Sequence, residues 1–140
     1  VLEGLKPFST VDASLHLRIK NHDAMNNLRR GDATMKDIDV LIGAFNMAEA
    51  YMRLRPELGE DWKEEIKAGL DALHAVGVRG APTGRFILKA SELVAMNLVM
   101  EIHDAQLDST TINDMERAMD IVTQEYRAKR MRPIVQKEKK

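Results

Sequence analysis

The stretch Thr34–Met52, TMKDIDVLIGAFNMAEAYM, decides the fold. Ile38, Leu41, Ile42, Phe45, Ala48 and Met52 recur at intervals of three and four, so one stripe of a helix is apolar and the rest is polar. Thr34 can cap that helix and Asp37 stands three residues later, a shortened form of the capping box. Nothing in the chain alternates with period two for long enough to make a strand. Pro56 cannot continue the helical ladder and marks a turn through Glu57, Leu58 and Gly59.

Outward from this element the same periodicity repeats. Before it, a helix is expected over Ser14–Arg30 with Leu15, Ile19, Met25 and Leu28 inward, closed by Gly31 as a left-handed cap. Residues 1–13 read as a lead-in, extended or loose because of Pro7. After the turn, a third helix is expected over Glu60–Val76, burying Trp62, Ile66, Leu70 and Leu73. The segment Gly77–Arg85, GVRGAPTGR, is a glycine-rich connector. A fourth helix follows over Leu88–Leu107, with Leu93, Met96, Val99 and Met100 on its buried side. The fifth starts at Thr110 or Thr111, where Asp114 completes another capping pattern, and carries the stripe Ile112, Met115, Met119, Val122 and Tyr126. Residues 14–132 therefore read as a single all-α domain, a small bundle of about five helices, and 133–140 as a polar basic tail.

Composition supports this and removes several chemistries. A chain of 140 residues is long enough to bury a core without staples. It has no cysteine, which excludes disulfides, thiolate metal sites and cysteine nucleophiles. Aromatic residues make up only 4 %, while nine methionines are present. A net charge of −1 gives no global electrostatic attraction to nucleic acid or an anionic membrane. No apolar run approaches the ~20 residues of a membrane helix, and VLEGLKPFST lacks the pattern of a signal peptide. The expectation is a soluble, cytoplasmic protein without a cofactor or metal.

Four groups of residues bear on chemistry. In Met100–Thr111, MEIHDAQLDSTT, the residues Glu101, Asp104 and Asp108 share one helix face, with His103 about a hundred degrees away. Glu101-x-x-Asp104 has the form in which helical enzymes hold magnesium against phosphates, provided that Glu57-x-x-Glu60 or Glu60-x-x-x-Glu64 supplies a second pair. The plainer reading is a solvated helix face. His22–Asp23 and His103–Asp104 repeat a dipeptide used by metal phosphohydrolases, with His16 and His74 as further ligands, yet two-residue motifs arise easily by chance. Gly80-Ala-Pro-Thr-Gly84-Arg85 has the look of a phosphate loop but lacks the preceding strand and the following Lys-Ser or Lys-Thr. Arg79 and Arg85 could clamp an anion there, whereas a turn with positive φ at its glycines is the simpler account. Basic clusters at Arg29–Arg30 and at Arg127, Lys129, Arg130 and Arg132 could grip phosphates, and the helix pair around Asp108–Thr111 could imitate a helix-turn-helix. Asp114 and Glu116 would repel phosphate at that position.

Several segments taken together resemble a loosely defined group of small helical proteins from prophages and plasmids of proteobacteria. These are Leu28–Thr34 (LRRGDAT), the second helix with Asn46, Thr83–Arg85 (TGR) and His103–Leu107 (HDAQL), within about Asn21 to Val122. The group has no agreed activity, and the terminal helix pair lacks the basic recognition helix implied by the Fis-like transcription-factor label some members carry. The resemblance implies that Asn46, Arg85, His103 and Gln106 form one polar network or binding site joining three helices. It also favours a small inhibitor or regulator over a housekeeping enzyme.

The reading with the most support is a non-enzymatic binder of a protein, working as a homodimer through an exposed, methionine-rich helix face. A nucleic-acid-binding regulator is the alternative, marked by steep salt dependence, and a magnesium-dependent nucleotide phosphohydrolase using Glu101 and Asp104 is the third. Wide separation of those carboxylates from any other acidic pair would remove the third.

Overall fold

A computed structural model describes the backbone of residues 2–128 and the side chains of 13–128. Five α-helices account for nearly all of it: α1 (Leu2–Arg29), α2 (Met35–Leu54), α3 (Lys63–Gly80), α4 (Ala90–Ser109) and α5 (Ile112–Arg127), with 3-10 turns at Pro56–Leu58 and Glu60–Trp62. No strand occurs among the described residues. The all-α bundle is the fold. The expected tail, 133–140, lies outside the described residues.

Helix ends follow local chemistry. Asp37 accepts the Thr34 N–H at 3.0 Å, and Asp114 accepts the Thr111 N–H at 3.1 Å while the Thr111 hydroxyl accepts the Asp114 N–H at 3.1 Å. Gly31 closes α1 at φ +80, the left-handed conformation expected of it. The start of α1 differs from expectation, because the helix runs back through the lead-in to Leu2.

α2 is the central element. Its Ile38, Leu41, Ala44, Phe45 and Ala48 join Ala24, Met25 and Leu28 of α1, Leu73 and Val76 of α3, Phe86, and Met96, Val99 and Met100 of α4 in the main core. A second cluster sets Ala50 and Tyr51 against Leu107 and Ala118, with Leu17, Met47 and Val122 packed on it. α3 and α4 approach closely because Gly69 has no side chain: a Cβ there would stand 2.2 Å from Val99 Cγ2.

Three inward expectations are corrected. Leu15 and Ile19 are 53 % and 51 % exposed, because the buried stripe of α1 runs through Asn21, Ala24, Met25 and Leu28. Trp62 is also exposed, since it ends a 3-10 turn and is rotated off the Ile66–Leu73 stripe of α3. On α5 the buried residues are Asp114 and Ala118, whereas Met119 and Tyr126 are exposed. The apolar stripe of α5 is wider than its contact with the bundle, and its outer half is left open.

Candidate functional site

That open half forms one wall of a cleft of about 340 Å³. Leu17 and Asn21 of α1, Val40, Ala44 and Met47 of α2, His103 and Leu107 of α4, and Met115, Met119 and Val122 of α5 line it. Lys20 and Asp39 carry its charge. Among these residues Asn21 and His103 are buried, whereas Met119 is 53 % exposed. The cleft is thus an apolar trough with a polar floor and a methionine rim.

The floor is fixed by a network reaching through α4. Gln106 Nε2 donates to the carbonyls of Ala48 and Leu58, each at 3.0 Å. Carbonyl oxygens only accept, so the amide nitrogen must occupy that side and Oε1 must face His103. His103 Nδ1 then donates to Oε1 at 2.9 Å. Burial pushes the His103 pKa down, an effect that the Gln106 bond and the Asp104 charge only partly offset. The neutral ring tilts against Tyr51, with centroids 6.0 Å apart. Tyr51 is itself fully buried, and burial pushes its phenol up. Thr110 lies beside that hydroxyl without completing a hydrogen bond among the described residues.

The network expected to join four residues holds two of them. His103 and Gln106 are adjacent, but half-buried Asn46 takes no part, and Arg85 is exposed in the connector, where its N–H donates to Thr83 Oγ1 at 3.3 Å. The helices do not gather the four residues at one place. The residue that the sequence analysis does not single out is Asn21. Its signal in the sequence was its place, four residues after Leu17 and three before Ala24, inside an otherwise apolar stripe.

The acidic stretch divides. Asp104 turns to α1, where His22 Nε2 lies 2.8 Å from its carboxylate and Arg18 donates to its backbone carbonyl at 3.1 Å. Asp108 pairs with Arg18. Glu101 instead lines a separate cavity of about 340 Å³ beside Glu57, Trp62 and Gln106, and Glu57 is already bonded to Arg55 at 2.9 Å. Glu101 and Asp104 thus face different neighbours. Among the described residues no group of three or more His, Asp or Glu side chains is placed to hold a metal ion. The two His-Asp dipeptides meet only as a cross-helix pair, His22 with Asp104.

The connector is a turn. Gly80 belongs to α3, packed against Phe86, and only Gly84 has positive φ, at +76. Arg79 is not available as an anion clamp, because it binds both oxygens of Glu92 at 3.0 and 2.7 Å and the Ile87 carbonyl at 2.7 Å. That pair holds the Glu92 carboxyl below its usual range.

The basic clusters are spread out. Arg29 reaches Asn97 at 2.7 Å and Arg30 reaches Asn27 at 2.6 Å, both next to the start of α2. Arg127 is exposed, two residues beyond Glu125, which pairs with Arg53 in the last turn of α2. A helix the length of α2 spans roughly 30 Å. Lys129, Arg130 and Arg132 lie outside the described residues.

Among the described residues, no helix is long and apolar enough to cross a membrane. Set beside family models, curated proteins and solved structures, the chain matches none.

Proposed function

We propose that this chain is a protein-binding module that docks its partner in the cleft between α1, α2, α4 and α5. The observation that carries this reading is the methionine rim over an apolar trough: Met47, Met115 and Met119 line one continuous cavity whose outer edge is open. Methionine is flexible and polarizable, and surfaces that adapt to a partner's side chains use it. A cleft of this size and lining is an ordinary place for recognition.

Self-association belongs to the same proposal. Leu15, Ile19, Val94 and Tyr126 remain exposed outside the cleft, apolar side chains that a second copy could cover. An origin in a phage or plasmid, and a regulatory role toward a host or element protein, rest on the resemblance of Leu28–Thr34 and His103–Leu107 alone.

The test is capture of the partner from a proteobacterial lysate by the tagged chain, with and without nuclease, beside the Met119→Glu variant. Met119 is exposed, so the variant should fold, while a carboxylate at the rim should repel an apolar partner. One stoichiometric protein that survives nuclease and disappears with Met119→Glu is the expected result. Capture that vanishes with nuclease, or is untouched by Met119→Glu, overturns the reading.

A further inference from the structure

The two polar groups on the cleft floor have hydrogen-bonding capacity that no described residue meets. Asn21 is 5 % exposed and lines the cleft, and its carboxamide has no hydrogen-bond partner among the described residues. Its polar atoms face the cleft, where water meets them until a ligand's polar group takes its place. His103 is 3 % exposed, and its ring nitrogens are no longer equivalent. Because Gln106 Oε1 must accept from Nδ1–H, the neutral ring leaves Nε2 as a lone-pair acceptor, and no described residue donates to it. Asn21 on α1 and His103 on α4 thus offer the cleft an amide N–H donor and an imidazole acceptor.

Resting on the protein-docking reading above, we infer that the cleft receives a tyrosine side chain of the partner, its hydroxyl donating to His103 Nε2 and accepting from the Asn21 carboxamide. The ring would lie among Leu17, Met47, Met115 and Met119, where thioether–aromatic contacts are favourable. Elimination supports the choice. A phenylalanine would leave both polar groups unmet, and a tryptophan N–H can donate but cannot accept. A carboxylate would face the acceptor nitrogen, and a lysine would bury its charge among apolar side chains. A phenol is both donor and acceptor on a large apolar body, the combination that makes tyrosine a common interface anchor.

The probe is 4-methylphenol, the tyrosine side chain as a free molecule, titrated into the full chain carrying 13C-methyl methionine. Toluene and 4-methylanisole bracket its size without a hydroxyl proton. The expected result is that 4-methylphenol shifts the Met47, Met115 and Met119 methyls and binds about tenfold tighter than either control, as one or two hydrogen bonds would give. Asn21→Leu should narrow that gap, and 15N spectra should place the His103 ring proton on Nδ1. Equal binding of all three probes, or a ring proton on Nε2, overturns the inference. Unmoved methyls, with partner capture still lost in Met119→Glu, would overturn the inference alone. Capture untouched by Met119→Glu would overturn the docking reading beneath it.

Discussion

His103 and Gln106, one turn apart on α4, are joined by a hydrogen bond of 2.9 Å that links the floor of the cleft to the backbone of α2 and the turn after it. The Gln106 amide reaches the carbonyls of Ala48 and Leu58 from the same side chain. One buried glutamine therefore sets the height of α4 against α2, the orientation of a histidine ring and the seating of the 3-10 turn Pro56–Leu58.

Gln106 can be tested by shape against chemistry. Gln106→Met keeps the volume but leaves the Leu58 carbonyl and the His103 N–H unpaired, and should cost about 2 kcal/mol in urea unfolding. Gln106→Glu is nearly isosteric yet sets acceptor against acceptor at two carbonyls, and should cost about 3 kcal/mol or more at neutral pH. If the two variants match the parent, the network contributes nothing to stability.

The pH dependence follows from His103. Burial lowers its folded pKa beneath the ordinary 6.5, so below that value the unfolded chain binds more protons than the folded one. The associated stability is fully present above pH 6.5 and is lost as pH falls below it toward the folded value. Melting temperatures should therefore drop between pH 7 and pH 5, a range above ordinary carboxylate titration. His103→Phe, although less stable at pH 7, should show a flatter profile over this interval. A profile as steep as the parent's would assign the slope to other groups.

Close approach of α3 and α4 depends on Gly69. A Cβ at Gly69 would stand 2.2 Å from Val99 Cγ2, so Gly69→Ala should destabilise by about 2 kcal/mol despite the better helix propensity of alanine. Adding Val99→Ala should make the double variant more stable than the sum of the single losses, because the clash is with a side chain that can be shortened. Gly80→Ala meets the Arg85 carbonyl at 2.6 Å and Phe86 Cδ1 at 2.5 Å, so no single trimmed side chain should rescue it. Strict additivity for Gly69 and Val99 would contradict this packing.

The number of helices and their caps were legible in the sequence because they depend on local chemistry. Thr34 with Asp37, Thr111 with Asp114, and Gly31 each act within four residues of themselves. Which face of each helix is buried was less legible. Leu15 and Ile19 are as apolar as Leu28, and only the positions of α2 and α4 decide that α1 turns Asn21 and Ala24 inward. Periodicity likewise found the stripe Met115–Met119–Val122 but not that one edge of it would line a cleft instead of a core. The pairs His22–Asp104 and Arg79–Glu92 join residues that no spacing rule connects. The burial of Asn21 exists only in the folded bundle, so local pattern alone does not announce it.

The most direct measurement of the central claim is site-specific photo-crosslinking. A benzophenone amino acid replaces Met119 at the cleft rim in one protein, and Lys67, exposed on α3, in another. Irradiation in lysate should give one discrete, nuclease-resistant adduct from position 119 and none from position 67. Its yield should fall when Asn21→Leu is added. Adducts of equal yield from both positions, or none from position 119, would contradict the cleft as the docking surface.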